Sequence, residues 1–290
     1  MTKDDASDTP EPDIKELAEM PLVYNDRLFD GKVVLVSGGA GGIGLATSVL
    51  FGRLGATIVS CSRNEEKMAS FEAALGELNI PCFTQTLTIR DPEAVSSLMD
   101  AVWERHGRLD VLINNAGGQF AAPAMDISPN GWKAVIDTNL TGSWYMTQAA
   151  ARHWRDHDQS GCVINIAAVP GMCISGIPHT VASRAGQIHL AKSLSVEWAP
   201  YNIRLNSIAV GVVASPGLVN YPETARPSFD HNPMRRMGTV HDVANACVYL
   251  AGPSGEFING SVITLDGGAE NWGEYWPLGR PDYFNVDYSS

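Results

Sequence analysis

Short apolar runs alternate along this chain with longer stretches in which apolar residues recur every three or four positions. The runs predict strands near 33–37, 57–61, 81–86, 110–113, 162–166, 203–207 and 262–265, and the stretches between them predict helices over 43–54, 65–77, 91–106, 128–155, 179–199 and 240–251. Runs that are continuously apolar, such as Val33-Val34-Leu35-Val36, suit strands covered on both faces, which means a parallel sheet between two helical layers. Right-handed crossovers then give an α/β fold with a doubly wound (Rossmann), mostly parallel, seven-stranded sheet. Its ligand crevice lies at the carboxyl ends of the strands, so the residues following each strand are the ones to search for chemistry.

The first of these segments is the most informative. Ser37-Gly38-Gly39-Ala40-Gly41-Gly42-Ile43-Gly44 lies between a buried strand and a helix. Glycines let a backbone approach a pyrophosphate closely, and the first N–H groups of the helix add donors and partial positive charge. The cluster fits two spacings, G-x-G-x-x-G through Gly39, Gly41 and Gly44, and G-x-x-x-G-x-G through Gly38, Gly42 and Gly44. A plain turn is the alternative, but the flanking strand and helix are the context a dinucleotide site requires.

Composition narrows the partners. The chain has 290 residues, 44% of them hydrophobic, and a formal net charge of −12, which argues against nucleic acid and anionic membrane surfaces. A small-molecule substrate is expected. Residues 1–30 hold nine acids against three bases, half the net charge, without the basic start and apolar stretch of a secretory signal and too acidic for a transit peptide. The expected organisation is an acidic arm over 1–28, a single dinucleotide-binding and catalytic domain over 29–268, and an aromatic tail over 269–290. The five cysteines lack C-x-x-C spacing, so neither a disulfide framework nor a metal site is expected, and a cytoplasmic protein is. The Pro- and Gly-rich stretch 211–235 reads as a flap over the crevice.

Four motifs occur in order: Ser37-Gly38-x-x-x-Gly42-Ile43-Gly44, Asn114-Asn115-Ala116-Gly117, Thr138-Asn139-Leu140 and Asp266-Gly267-Gly268. With them the chain from Phe29 to Gly268 resembles the short-chain dehydrogenase/reductases. The stretches Asn114 to Phe120, Gly131-Trp132 and Thr138 to Gly142 resemble the trans-2-enoyl-CoA and 2,4-dienoyl-CoA reductase branch. The resemblance implies cofactor contacts at Ser37, Gly38, Gly42, Ile43, Gly44, Thr88, Ile89, Asn115, Ala116, Gly117, Gly211 and Val213. It also implies a homo-oligomer, a dimer or a homotetramer that buries the helices at 128–155 and 179–199. At the tip of the second strand, Ser62 and Arg63 stand where an acid would bind a ribose hydroxyl, so NADP(H) is expected over NAD(H); the alternative for Arg63 is a solvated charge.

The catalytic set that the resemblance implies is a Ser, a Tyr-x-x-x-Lys and a supporting Asn, and only Asn139 is retained. Counting back from Ala191-Lys192-Ser193-Leu194 without a gap places Thr180 at the Tyr position and Arg184 at the Lys position, with Ala167-Ala168 in place of the Ser. Threonine is too weak an acid to protonate a carbonyl oxygen, whereas Arg184 retains a fork suited to ribose hydroxyls. Reduction of a C=C bond conjugated to a carbonyl demands less, because the enolate chiefly needs hydrogen-bond donors. The candidate catalytic residues are therefore Asn139, Thr180, Arg184 and His179, although a histidine at a helix start also serves as a cap. Tyr145, Tyr221 and Lys192 are weaker candidates, and Arg235 and Arg236 are candidates for a CoA phosphate or surface charges. Three readings follow: an NADPH-dependent reductase of an enoyl-CoA or bulky enone, a redox-neutral enzyme of the same fold (isomerase, dehydratase or cyclase), or a non-catalytic nucleotide-binding scaffold.

Overall fold

The computed structural model describes residues 11–21, 24–168, 176–220 and 232–272. Seven parallel strands form one sheet: β1 (Val33–Ser37), β2 (Thr57–Ser62), β3 (Cys82–Thr86), β4 (Val111–Asn114), β5 (Gly161–Ala168), β6 (Ile203–Val210) and β9 (Val262–Leu265), in the order β3-β2-β1-β4-β5-β6-β9. The expected strands are all present, displaced by no more than a few residues at their ends. The chain order reverses between β1 and β4, so the loops leaving these two strands diverge and open the crevice.

Residues of one strand alternate between two cores. Val34, Val36, Ile113 and Ile164 face α2 (Gly42–Arg53), α3 (Glu65–Glu77) and α8 (Val240–Ala251), while Val33, Leu35, Leu112 and Val163 face α4 (Pro92–His106), α6 (Ser143–Asp156) and α7 (Pro178–Glu197). Period-2 alternation explains this, since both faces of a central parallel strand are covered. Trp154 is fully buried in the second core, and its indole N–H donates to the Leu109 carbonyl at 2.7 Å, just ahead of β4. Asp110 accepts from Val33 N at 2.9 Å and from Arg108 Nε at 2.9 Å, which ties the start of β4 to the start of β1.

The structure departs from the periodicity in three places. The helix expected over 128–155 is α5 (Pro129–Ile136) and α6, joined by a π turn at Asp137–Gly142. Here Gly142 lies close against Ile89, and the Thr138 hydroxyl bonds back to the Ala134 carbonyl at 2.8 Å. The wider turn carries one residue more than an α turn, which a period of 3.6 does not reveal. A six-residue helix, α1 (Ile14–Glu19), is capped by Asp13 and docks on α2 through buried Leu17, with Arg53 Nη1 donating to the Leu17 carbonyl at 2.8 Å. Two-residue strands β7 (Val213–Ala214) and β8 (Gly238–Thr239) pair beside the crevice, and Thr239 with Asp242 forms a capping box on α8. These elements are too short for a sequence period to show.

Replacing the Trp154 indole leaves a large cavity and removes one of the two donors to the Leu109 carbonyl, the other being the Gln159 side-chain amide. Trp154→Ala is expected to lower the unfolding free energy by about 3–5 kcal/mol, measured as a shift of the chemical denaturation midpoint.

Candidate active site

The crevice is built outward from the end of β1. Gly38 turns the chain with a φ of +68°, and its N–H donates to the Cys61 carbonyl at 2.8 Å. Gly39 N donates to the Ser60 hydroxyl at 3.0 Å, which donates in turn to the Val36 carbonyl at 2.9 Å. Gly44 admits no side chain, because a Cβ there would lie 2.3 Å from the Gly38 carbonyl oxygen and 2.6 Å from the Asn115 amide. That contact seats the first turn of α2 directly over the strand end, where Gly42 and Ile43, whose N–H groups have no intrahelical partner, line the crevice.

The segment after β4 is fastened to this turn. The Ser37 hydroxyl accepts from Asn115 N at 3.1 Å and Ala116 N at 3.0 Å, and the Asn115 amide donates to the carbonyls of Ser37 at 3.0 Å and Gly38 at 3.1 Å. Buried Asn114 lies one residue behind, donating to Thr147 Oγ1 at 2.8 Å and Asn165 Oδ1 at 2.9 Å. The two loops form one hydrogen-bonded unit.

The resulting crevice has a volume of about 750 Å³. Gly38, Gly42 and Ile43 line its floor, Ser62, Arg63, Thr88 and Ile89 one end, and Asn115, Ala116, Gly117, Thr180, Arg184, Gly211 and Val213 the rest. Ser37, Gly44, Asn139 and His179 lie behind this wall and do not line it. Glu11, Lys67 and Arg90, to which the motifs did not point, also line the crevice; Glu11 comes from far along the chain, whereas Lys67 and Arg90 lie within four residues of Arg63 and Ile89. Arg90 Nε donates to Thr138 Oγ1 at 2.7 Å, whereas Arg63 is exposed and has no polar partner among the described residues.

Asn139, in the π turn, clamps the backbone of Gly118: its Oδ1 accepts from Gly118 N at 2.9 Å and its Nδ2 donates to Gly118 O at 3.1 Å and Ser183 Oγ at 3.3 Å. Ser143 Oγ donates to the Asn139 carbonyl at 3.0 Å and accepts from Gln187 Nε2 at 3.0 Å, and Gln187 Oε1 accepts from Arg184 Nη1 at 3.1 Å. Arg184 Nη1 also donates to the Ile166 carbonyl at 2.8 Å. Burial pushes its pKa down to about 10, which still leaves it charged at neutral pH. No carboxylate pairs with it among the described residues. Gly117 is required opposite it, since a Cβ would meet Arg184 Nη2 at 2.1 Å.

Thr180 and Arg184 thus stand one turn apart on α7 facing the same crevice, beside Ala167 and Ala168 at the end of β5. His179 is fully buried, edge-on to Phe120 with centroids 4.6 Å apart, and its burial pushes the imidazole pKa down. Its Nδ1 lies 2.8 Å from Thr180 N and 3.3 Å from Thr180 Oγ1, while Nε2 has no partner among the described residues. Tyr145 lies in a separate groove beside Asp100 and Arg152, and Lys192 is exposed away from the crevice. Arg236 pairs with Asp242 at 3.0 Å and Arg235 lies over the Trp272 ring, neither of them in the crevice. Tyr221 and the centre of the flap lie outside the described residues, as does most of the loop after β5. Among the described residues no helix is long and apolar enough to cross a membrane.

Comparison with known proteins gives the same grouping. The family model described as Enoyl-(Acyl carrier protein) reductase matches residues 38–270. A protein of Bacillus subtilis named a probable 2,4-dienoyl-CoA reductase is 36% identical over 248 residues, covering 83% of this chain and 97% of its own length. The 3-oxoacyl-[acyl-carrier-protein] reductase FabG of Thermotoga maritima is 32% identical over 242 residues, covering 83% and 98%. A crystal structure of a short chain dehydrogenase from Bacillus anthracis superposes with a TM-score of 0.75 at 32% identity, over 84% of this chain and 98% of that one. With the sheet order, the glycine turn and the Asn115 tie already in place, these matches show that the chain belongs to the short-chain dehydrogenase/reductase family of oxidoreductases.

Proposed function

We propose that this protein is an NADPH-dependent reductase of a C=C bond conjugated to a carbonyl, acting on an enoyl-CoA, a dienoyl-CoA or a bulky enone. The observation that carries the reading is the pairing of a retained dinucleotide crevice with a changed catalytic face. Thr180 and Arg184 are the polar residues that line the crevice from the start of α7, beside Val181 and Ala185, and the strand end opposite them carries alanines. The cradle suits a dinucleotide because the first N–H groups of α2 meet glycines that leave room for a phosphate, and the unpaired Arg184 charge suits ribose hydroxyls or a developing oxyanion.

Bound NADPH supplies the hydride for such a reduction. Gly38, Gly42 and Ile43 would hold its diphosphate, and Asn115, Ala116, Gly117, Gly211 and Val213 would shape the groove along it. Ser62 and Arg63 would take the 2′-phosphate, a hydroxyl and a guanidinium where a carboxylate would repel it. Thr88 and Ile89 would contact the adenine. Reduction at the β-carbon would place negative charge on the carbonyl oxygen, and donors fixed before the reaction would stabilise it there. Thr180 is the donor we assign: it lines the crevice, its hydroxyl lies 3.3 Å from His179 Nδ1, and a turn of that hydroxyl away from the imidazole directs its hydrogen to the substrate oxygen. His179 then positions Thr180, and Asn139 positions Arg184 and the Gly117-Gly118 backbone through Gln187 and Ser143. Protonation at the α-carbon is left to water. A ketone reductase needs a titratable acid at the oxygen, and a threonine does not supply one.

The name of the Bacillus subtilis relative favours this substrate class, while that of the Thermotoga maritima relative marks the ketone alternative. An apolar groove formed by the π turn, α6 and α7, lined by Leu140, Trp144 and Leu190, supports a homo-oligomer, a dimer or a tetramer.

Absorbance of NADPH followed with a trans-2-enoyl-CoA, a 2,4-dienoyl-CoA and a 3-oxoacyl-CoA tests the reading. Oxidation by the unsaturated thioesters at least about 10²-fold faster than by the ketone is expected, and the reverse order rejects it. Arg63→Ala is expected to raise the Kd of NADPH roughly tenfold and to change that of NADH less than twofold. Arg184→Met is expected to lower kcat/KM about 10²-fold with a melting temperature within a few degrees of the parent.

A further inference from the structure

The glycine turn already holds an anion of the chain's own. Glu11 Oε2 accepts from Gly42 N at 2.8 Å, and Glu11 Oε1 is ion-paired with Lys67 Nζ, so both carboxylate oxygens are engaged at the lip of the crevice, against Gly41. The carboxylate is set there by a folded element. Two residues on, Asp13 caps α1, and α1 is anchored on α2 by Leu17 and by the Arg53 bond to the Leu17 carbonyl.

We infer that Glu11 is a built-in stand-in for a phosphate, which occupies the Gly42 donor and Lys67 until the dinucleotide displaces it. The inference rests on the dinucleotide reading of the crevice. A carboxylate and a phosphate make the same demand on a helix N-terminus, and the Gly42 N–H faces one of them at a time. A carboxylate left beside a bound diphosphate would also repel it. Entry of the cofactor therefore breaks one charge-assisted hydrogen bond and one ion pair, and releases Lys67 to the incoming phosphate. Lys67 becomes a cofactor-binding residue in the bound state, alongside Arg63 at the same end of the crevice. The arm sets the concentration at which cofactor enters without touching substrate or reacting atoms.

Calorimetric titration of NADPH into the full-length parent, Glu11→Ala and Glu16→Ala tests this. Glu16 is exposed in the first turn of α1, so its variant carries the same charge change without the contact. The expected result is a Kd roughly five- to tenfold lower in Glu11→Ala and unchanged in Glu16→Ala. Equal affinity in all three proteins, equal tightening in both variants, or weaker binding in Glu11→Ala overturns the inference and leaves the dinucleotide reading intact. Absence of binding in all three overturns both.

Discussion

The fold depends most on the close approach of two backbones at the point where the strand order reverses. Gly44 sits against the Gly38 carbonyl and the Asn115 amide, and the Ser37 hydroxyl gathers two N–H groups from the neighbouring loop. These groups are largely buried, so each would cost about 1–3 kcal/mol if left unpaired. Removing one partner therefore loosens the whole unit. The first-turn N–H groups of α2, the Gly117 opening and the place of Arg184 all take their positions from it.

From there the chemistry follows a chain of partly buried polar contacts. Asn139 fixes Gly118, Ser143 and Gln187 join Asn139 to Arg184, and Arg184 reaches the end of β5. A guanidinium so held loses little rotamer freedom when it meets a ligand, and its charge survives burial because even a lowered pKa stays well above neutrality. A lysine in the same surroundings would be more easily discharged.

Much of the fold was legible in the sequence because its signals are local. Continuous runs such as Val33 to Val36 marked strands, and Gly38 to Gly44 marked the turn from its own glycines and flanking elements. Thr180 and Arg184, reached by counting along one helix, both line the crevice, because register carries over within a helix. The features that escaped depend on residues far apart in the chain or on elements of a few residues. Glu11 reaches Gly42 across 31 positions and Lys67 across 56, and nothing near any of the three announces the meeting. The π turn was hidden because the apolar period on either side reads as one helix, and the partner of Asn139, Gly118, lies on another loop.

That π turn has a consequence for how the family's sequences can vary. A helix advances about 100° per residue, so a single surplus residue between Ile136 and Ser143 puts the faces of α5 and α6 out of phase. Met146, Ala150 and Trp154 can then face the second core while Asn139 points at Gly118. Losing one residue there would restore a regular helix and rotate one set away from its target, so insertions and deletions in this stretch are constrained more tightly than substitutions.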